Sequence, residues 1–555
     1  MKKRILIVGG VAGGASCATR ARRLDEDAEI IVFERGSYVS FANCGLPYHV
    51  GDVIPDESSL LVAGPELFKQ RFNIEIRRQS EVVAIDRGAG EIEVRALLTG
   101  KLYREKYDAL VLAPGATPIR PPLPGVDLQG IFVLRSIPDS RKIRDWIDRV
   151  KPQTAVIVGG GFIGLEMAEN LTARGIKVTV IEMLNQLLPP LDPEMAAPIA
   201  RHLKAKGVEV RLGDGVAGFV AREKTLEVTL KSGARQAGDM VILSVGVKPE
   251  NALAKAAGLE LGDRGGIRVD AQMRTSDPRI WAVGDAVEVR DAITGAWSLL
   301  PLAGPANRQG RAAADAICGH KTLFRGVQGS AICEVFGLAA AMTGASEKAL
   351  KRAGISDFEK VYLHPQQHAG YYPGARRLHL KLLYRIGDGR ILGAQAIGEQ
   401  GVDKRIDVIS MAIQKGGTVF DLEDAELCYA PQFGSAKDAI NMAGMIAANS
   451  LRDDIRNASW DTIKDNGFIL LDVREPEEFA KGHVEGAKNI PLAELRQRLQ
   501  ELPQPAAIRV YCGVGQRAYN AVRMLRQKGF RVQNLSGGYE TYLNFQQAQM
   551  LPQTG

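Results

Sequence analysis

Two cysteines sit in segments whose neighbours could support sulfur chemistry. Cys44 lies in Ser40-Phe-Ala-Asn-Cys-Gly-Leu-Pro-Tyr48 and Cys512 in Val510-Tyr-Cys-Gly-Val-Gly-Gln-Arg517. The thiolate is the nucleophilic form of cysteine, so each segment must favour the anion if its sulfur is to react. Cys44 has no second cysteine within CxxC or CxxxxC reach. A sulfur placed this way exchanges with a partner thiol from outside its own segment, and Asn43 and a nearby tyrosine hydroxyl are the groups expected to hold it anionic. A small buried core cysteine is the competing assignment. Cys512 follows an apolar strand pattern and opens a loop leading into a helical one, where backbone N–H groups and the helix dipole lower a thiol's pKa. Cys17, Cys318, Cys333 and Cys428 are scattered, so the six cysteines suggest neither a disulfide framework nor a zinc site. No metal is expected, and a reducing, cytoplasmic compartment is the default.

Two glycine turns supply the second kind of chemistry. The first runs from Arg4-Ile-Leu-Ile-Val-Gly-Gly-Val-Ala-Gly-Gly14 to Ile30-Ile-Val-Phe-Glu34, the second from Ala155-Val-Ile-Val-Gly-Gly-Gly-Phe-Ile-Gly164 to Val178-Thr-Val-Ile-Glu182. Both read as strand, glycine turn, helix and strand ending in an acid. That is the plan of a dinucleotide site, with the pyrophosphate on the helix N-terminus and the acid on ribose hydroxyls. Gly159, Gly161 and Gly164 complete GxGxxG. The first turn keeps Gly9 and Gly14 but has Val11 at the middle position. Two such units predict two bound dinucleotides.

The elements that must position these groups need a long chain. At 555 residues the sequence holds about three or four domains. Its 45% hydrophobic and 24% charged residues are those of a folded globular protein. Charge is +7 without a like-charge run, so neither a nucleic-acid tail nor a membrane-binding one is supported. Lys2-Lys3-Arg4 before an uncharged stretch mimics a signal peptide, but Gly9, Gly10, Gly13 and Gly14 break the apolar run. The polar segment 449–458 reads as a linker. Beyond it, strands at 467–473, 508–512 and 532–535 and a helix after Gly515 form a separate small α/β unit.

Taken together, these motifs resemble the two-dinucleotide flavoprotein disulfide reductases fused to a C-terminal rhodanese, over nearly the whole chain. The Ser40–Tyr48 segment is similar to that of the coenzyme A disulfide reductases and the NADH-dependent persulfide reductases. Leu471-Asp-Val-Arg-Glu-Pro-Glu-Glu-Phe479, Gly482-His-Val-Glu-Gly-Ala487 and the Cys512 loop follow the rhodanese pattern in order. The resemblance implies an α/β fold of two Rossmann-like domains, an α+β dimerisation domain and a rhodanese-like domain. It divides the chain into residues 1–118 with 250–325 for FAD, 119–249 for NAD, 326–448 for dimerisation and 459–555 for the rhodanese.

By the same resemblance, Gly9, Gly14, Glu34, Ala113, Gly115, Asp285 and Ala303 bind FAD, and Gly159, Gly161, Gly164, Glu166 and Glu182 serve the nicotinamide dinucleotide. Glu182 followed by Met183-Leu184-Asn185 offers no cation for a 2′-phosphate, which favours NADH. Ser40, Asn43, Arg20 and Arg23 would hold coenzyme A. Tyr371 or Tyr372, and Tyr429, would complete the pocket across a homodimer. Cys512 would carry a terminal sulfur, with Arg517 closing its loop or holding an anionic donor. Asp472, Arg474 and His483 are expected to brace the scaffold. The implied activity is NADH-dependent reduction of a coenzyme A persulfide, polysulfide or coenzyme A disulfide at Cys44, with the rhodanese unit supplying sulfane sulfur to a small thiol. Two alternatives stay open. One is an NADH oxidase or peroxidase with a Cys44 sulfenic acid, whose relatives generally carry a histidine where Val11-Ala12 stands here; the other is a flavoprotein redox sensor.

Overall fold

The computed structural model describes residues 2–223, 225–463, 467–503 and 507–549. They form two compact units, one from the described residues of 1–180 and 216–327, the other from 181–215 and 328–555.

In the first unit, the apolar run of strand Arg4–Val8 is buried on both faces, as a central parallel strand requires. It pairs in parallel with Glu29–Glu34 on one side and Ala109–Leu112 on the other, and Glu75–Arg78 and Ile280–Ala282 extend the sheet to five strands. Helix Ala12–Leu24 returns across this sheet and packs on helix Ala303–Ile317. The approach depends on small residues: a Cβ on Gly310 would lie 2.2 Å from the carbonyl of Gly13. A second parallel arrangement sets Thr154–Val158 beside Met240–Leu243, which pairs in turn with Ile131–Phe132, and helix Phe162–Ala173 follows the second glycine turn.

The second unit holds an antiparallel sheet in the order Ala331–Val335, Leu338–Gly344, Ile391–Gly398, His379–Arg385, Phe358–Leu363. The terminal sheet is parallel, in the order Asn457–Ala458, Arg531–Leu535, Ala507–Tyr511, Phe468–Asp472, Lys488–Asn489. The expected linker is shorter than its polar composition suggests. Residues 449–451 finish helix Ala439–Leu451, Ile455 is buried, and Asn457–Ala458 joins the terminal sheet. Composition misleads here because edge pairing uses backbone groups, which any side chain can offer. Among the described residues, no helix is long and apolar enough to cross a membrane.

Candidate functional site

The glycine turns divide their labour between fold and ligand. Gly9 has φ +97°, and a Cβ there would stand 2.1 Å from the carbonyl of Ala113; on Gly14 it would stand 1.9 Å from the carbonyl of Gly9. In the second turn, Gly159 and Gly164 are constrained in the same way, by the carbonyls of Ser244 and Gly159 at 2.4 and 2.0 Å. A Cβ on Gly161 would meet nothing within 4 Å. The protein therefore does not need glycine at the middle position, and the open space is where a pyrophosphate would approach the backbone. The first turn fills that position with Val11, whose residue lines a cavity instead. Neither following helix carries an acid in its first turn, which leaves both N-termini fit for an anion.

Glu34 is half-buried and fixed by two backbone donors, Gly10 N–H at 2.9 Å and Gly36 N–H at 2.7 Å. Glu182 is buried and accepts from Leu184 N–H at 2.8 Å. Both acids end their strands as the motif requires.

A cavity of about 500 Å³ brings together Ser40, Asn43, Cys44, Ala113, Gly115, Asp285 and Ala303. Ser40 holds the left-handed conformation, φ 47°, with its N–H on the carbonyl of Gly10 at 2.9 Å and its own carbonyl accepting from Val62 N–H at 2.9 Å. This bend delivers the single 3-10 turn Asn43–Gly45, where a Cβ on Gly45 would press on Leu60 at 2.7 Å. Cys44 is an exposed, free thiol at the cavity. The remaining cavity geometry centres on Arg135, which the sequence reading missed. Its guanidinium donates to Asp285 Oδ2 at 3.3 Å and, with the Asn43 amide oriented to satisfy both ends, to Asn43 at 3.3 Å. Gln309 fixes the Gly284-Asp285 turn by accepting from Gly284 N–H at 2.7 Å. No motif marked Arg135; the nearby signal was the Ser136-x-x-Asp139 capping box, which places the helix that follows it.

Protein packed on the inner side of Cys44 pushes its thiol up, Glu166 and Asp285 push it further, and Arg135 opposes them. The chain's own groups, on balance, shift the Cys44 thiol upward. Tyr48 hydrogen-bonds Glu166. Glu166 is half-buried on helix Phe162–Ala173, not on a solvated face. Burial and Glu169 raise its carboxyl to about 7, against the Tyr48 hydrogen bond.

Arg20 and Arg23 differ in role. Arg20 is half-buried and paired with Asp315 at 2.7 Å, while Arg23 is exposed. Of the two adjacent tyrosines, Tyr371 is the one that meets Tyr429, hydroxyl to hydroxyl at 2.7 Å. Tyr371 is 76% exposed and Tyr429 49%. Tyr372 packs edge-on against His368.

The terminal site is built on strand Ala507–Tyr511 and helix Gln516–Gln527, with Cys512 buried between them. Its sulfur accepts from Gly515 N–H at 3.2 Å, and Gly515 takes φ +100° to make that turn. Arg517 closes the loop by donating to both oxygens of Glu478, at 2.6 and 2.8 Å. Asp472 and Arg474 form a buried pair at 2.6 Å, and His483 stacks on Phe479 with centroids 3.8 Å apart. Glu478 was not singled out by the sequence, although it sits inside the Leu471–Phe479 motif.

Comparison with known proteins gives a consistent picture. Residues 3–310 match the pyridine nucleotide-disulphide oxidoreductase family, 330–439 its dimerisation domain, and 456–544 the rhodanese-like domain. A coenzyme A disulfide reductase of Staphylococcus haemolyticus is 35% identical over 443 residues, 80% of this chain and 98% of that protein. The crystal structure of reduced Bacillus anthracis CoADR-RHD is 48% identical, covers 98% of both chains and superposes with a TM-score of 0.96. An NAD-dependent persulfide reductase from A. fulgidus is 37% identical over 97% of this chain and 100% of that one, with a TM-score of 0.90.

Proposed function

The chain belongs to the pyridine nucleotide-disulphide oxidoreductases, among the coenzyme A disulfide and persulfide reductases that end in a rhodanese-like domain, and from that premise we propose how its residues act. It is an FAD-dependent, NADH-consuming reductase of coenzyme A persulfide, polysulfide or coenzyme A disulfide. The observation that carries this reading is an accessible, unpaired Cys44 sharing one cavity with Ala113, Gly115, Asp285 and Ala303. FAD, when bound, supplies the two-electron link between NADH and sulfur. Gly9, Gly14 and Glu34 would hold its nucleotide end, and Gly159, Gly161, Gly164 and Glu182 would hold NADH.

The Cys44 thiolate attacks a substrate sulfur, forming a Cys44–S bond and expelling the other sulfur as RS⁻. Two electrons from NADH and a proton then return Cys44 to the thiolate and release the bound sulfur as a thiol or as sulfide. Arg135 steadies the thiolate, and Ser40 and Asn43 line the approach. Arg23 would meet a coenzyme A phosphate; Arg20 keeps its pairing with Asp315. Tyr371 and Tyr429, exposed and hydrogen-bonded to each other, would complete the pocket of a second copy of the chain in a homodimer. Cys512 carries sulfane sulfur to a small thiol, and the need to keep both cysteines reduced suits a cytoplasmic enzyme. The domain limits follow this division, with the linker narrowed to residues 452–456.

The test is Cys44→Ser. It should retain FAD and NADH reduction of the flavin while losing turnover of coenzyme A disulfide and persulfide, measured as anaerobic NADH consumption. Undiminished turnover would refute the assignment.

A further inference from the structure

The loop after Cys512 contains Gly513, Val514, Gly515 and Gln516, none of them charged. Its backbone is fixed on the far side: Tyr539 N–H donates to the carbonyl of Cys512 at 2.7 Å and Glu540 N–H to that of Gly513 at 3.0 Å. A Cβ on Gly538 would stand 2.3 Å from the carbonyl of Cys512, so the loop cannot retreat in that direction. The cation of the motif, Arg517, is taken up inside the site. Two of its N–H groups go to Glu478, a further interaction reaches Cys512, and Glu475 lies 3.8 Å from Nη1. The Arg517–Glu478 pair stands over the loop itself, since a Cβ on Gly513 would be 3.6 Å from Arg517 Nη2 and 3.9 Å from Glu478 Oε1. The short helix Pro476–Ala480 and its flanks add Glu475 and Glu477 against Lys481. A donor reaching Cys512 therefore meets an arginine whose charge Glu478 already matches, with Glu475 beside it, and no unengaged loop cation.

We infer that Glu478 is a specificity-determining residue of the terminal site, which excludes dianionic inorganic donors such as thiosulfate and admits sulfur borne on an organic thiol. This rests on the reading of Cys512 as a sulfur carrier and deepens it. The step balances without a further reagent: Cys512–S⁻ attacks the outer sulfur of RS–SH, an S–S bond forms to Cys512, the RS–S bond breaks, and RS⁻ leaves with the electron pair. Thiosulfate would undergo the same displacement with sulfite leaving, but it brings two negative charges to a thiolate already faced by a carboxylate. Like charges brought together without a compensating partner discriminate strongly in recognition.

The experiment loads the full-length chain with the persulfide of N-acetylcysteamine, which carries at most one negative charge, or with dianionic thiosulfate, and follows sulfur addition to Cys512 by quenched-flow mass spectrometry. The wild-type rate constant should be about 100-fold larger for the organic persulfide. Glu478→Gln should raise the thiosulfate constant about 10-fold and change the persulfide constant by less than about 3-fold. Equal constants in the wild type, or a proportional loss with both donors in Glu478→Gln, would overturn the proposal, the second because it marks Glu478 as a prop for the loop. A measurement on the wild type alone guards against a folding defect: thiosulfate loading should rise with ionic strength more steeply than persulfide loading. A falling or flat thiosulfate response also overturns it. Failure of Cys512 to load from any donor would instead remove the sulfur-carrier reading beneath it.

Discussion

Cys44 reacts only as the thiolate, and its charged neighbours decide how much of it ionises. Burial of its inner side, Glu166 and Asp285 hold the proton on, while Arg135 pulls it off. Glu166 itself titrates at about 7, so below that pH it is neutral and does not oppose ionisation, and above it the carboxylate does. Glu166→Gln should therefore shift the midpoint of Cys44 alkylation by iodoacetamide downward by about half to one pH unit. An unchanged midpoint would show that the two groups are not coupled. The residue types announced a sulfur nucleophile; the sign of its pKa shift came first from burial and then from two carboxylates distant in sequence, which no spacing rule reports.

At the scale of the element, the second glycine turn separates what the fold needs from what the ligand needs. Gly161→Ala meets open space and should leave the melting temperature within about 2 °C, yet raise the KM for NADH roughly 10-fold by crowding the pyrophosphate. Gly164→Ala would press on the carbonyl of Gly159 at 2.0 Å and should destabilise the chain by about 1–3 kcal/mol. Thermal melts and NADH titrations of the two variants check this; identical behaviour would mean that the glycines share one role. The glycine spacing was legible because it recurs within a single strand–turn–helix. Arg135, reaching Asp285 and Asn43 from elsewhere in the chain, was not.

At the scale of the molecule, the second unit is organised around a buried ion cluster. Lys381 is fully buried and donates to Asp192 at 2.8 Å, Glu194 at 2.6 Å and Glu347 at 3.0 Å. Lys360 joins Glu347 to Asp461 at 2.8 Å, and Tyr362 N–H reaches Ser536 at 2.9 Å, which ties the antiparallel sheet to the terminal domain. Burial alone would raise Asp192 and Glu347; Lys381, with Lys360 at Glu347, outweighs it and leaves both below the usual carboxylate range. Lys381→Met strands these acids and should cost about 3–5 kcal/mol in denaturant unfolding; a loss under 1 kcal/mol would mean that the cluster is dispensable. A second tie is made by two histidines. His364 Nε2 meets Thr541 at 2.6 Å and its Nδ1 meets His379 at 2.8 Å. Burial, with cations Arg377 and Arg201 nearby and Glu540 opposing at His379, lowers both imidazoles. Their folded pKa values lie below the unfolded one, so their stabilisation is complete above about pH 6.5 and is lost as pH falls, by up to about 1.4 kcal/mol per pH unit for each histidine. Melting temperatures between pH 7 and 5.5 should fall accordingly, and the double variant His364→Gln, His379→Gln should remove that slope.

The sequence by itself determined the two dinucleotide turns, the lone Cys44, the Cys512 loop and the class of fold, because each is written in neighbouring residues whose spacing one strand, turn or helix must obey. Only the tertiary structure decided that Arg20 serves Asp315, that Tyr371 meets Tyr429, that Arg517 belongs to Glu478, and that Arg135 and Glu166 contend over Cys44. Those pairings join charges and hydroxyls from separate elements. Coulomb and hydrogen-bond energies depend on distance in space, and the order of residues along the chain does not contain that distance.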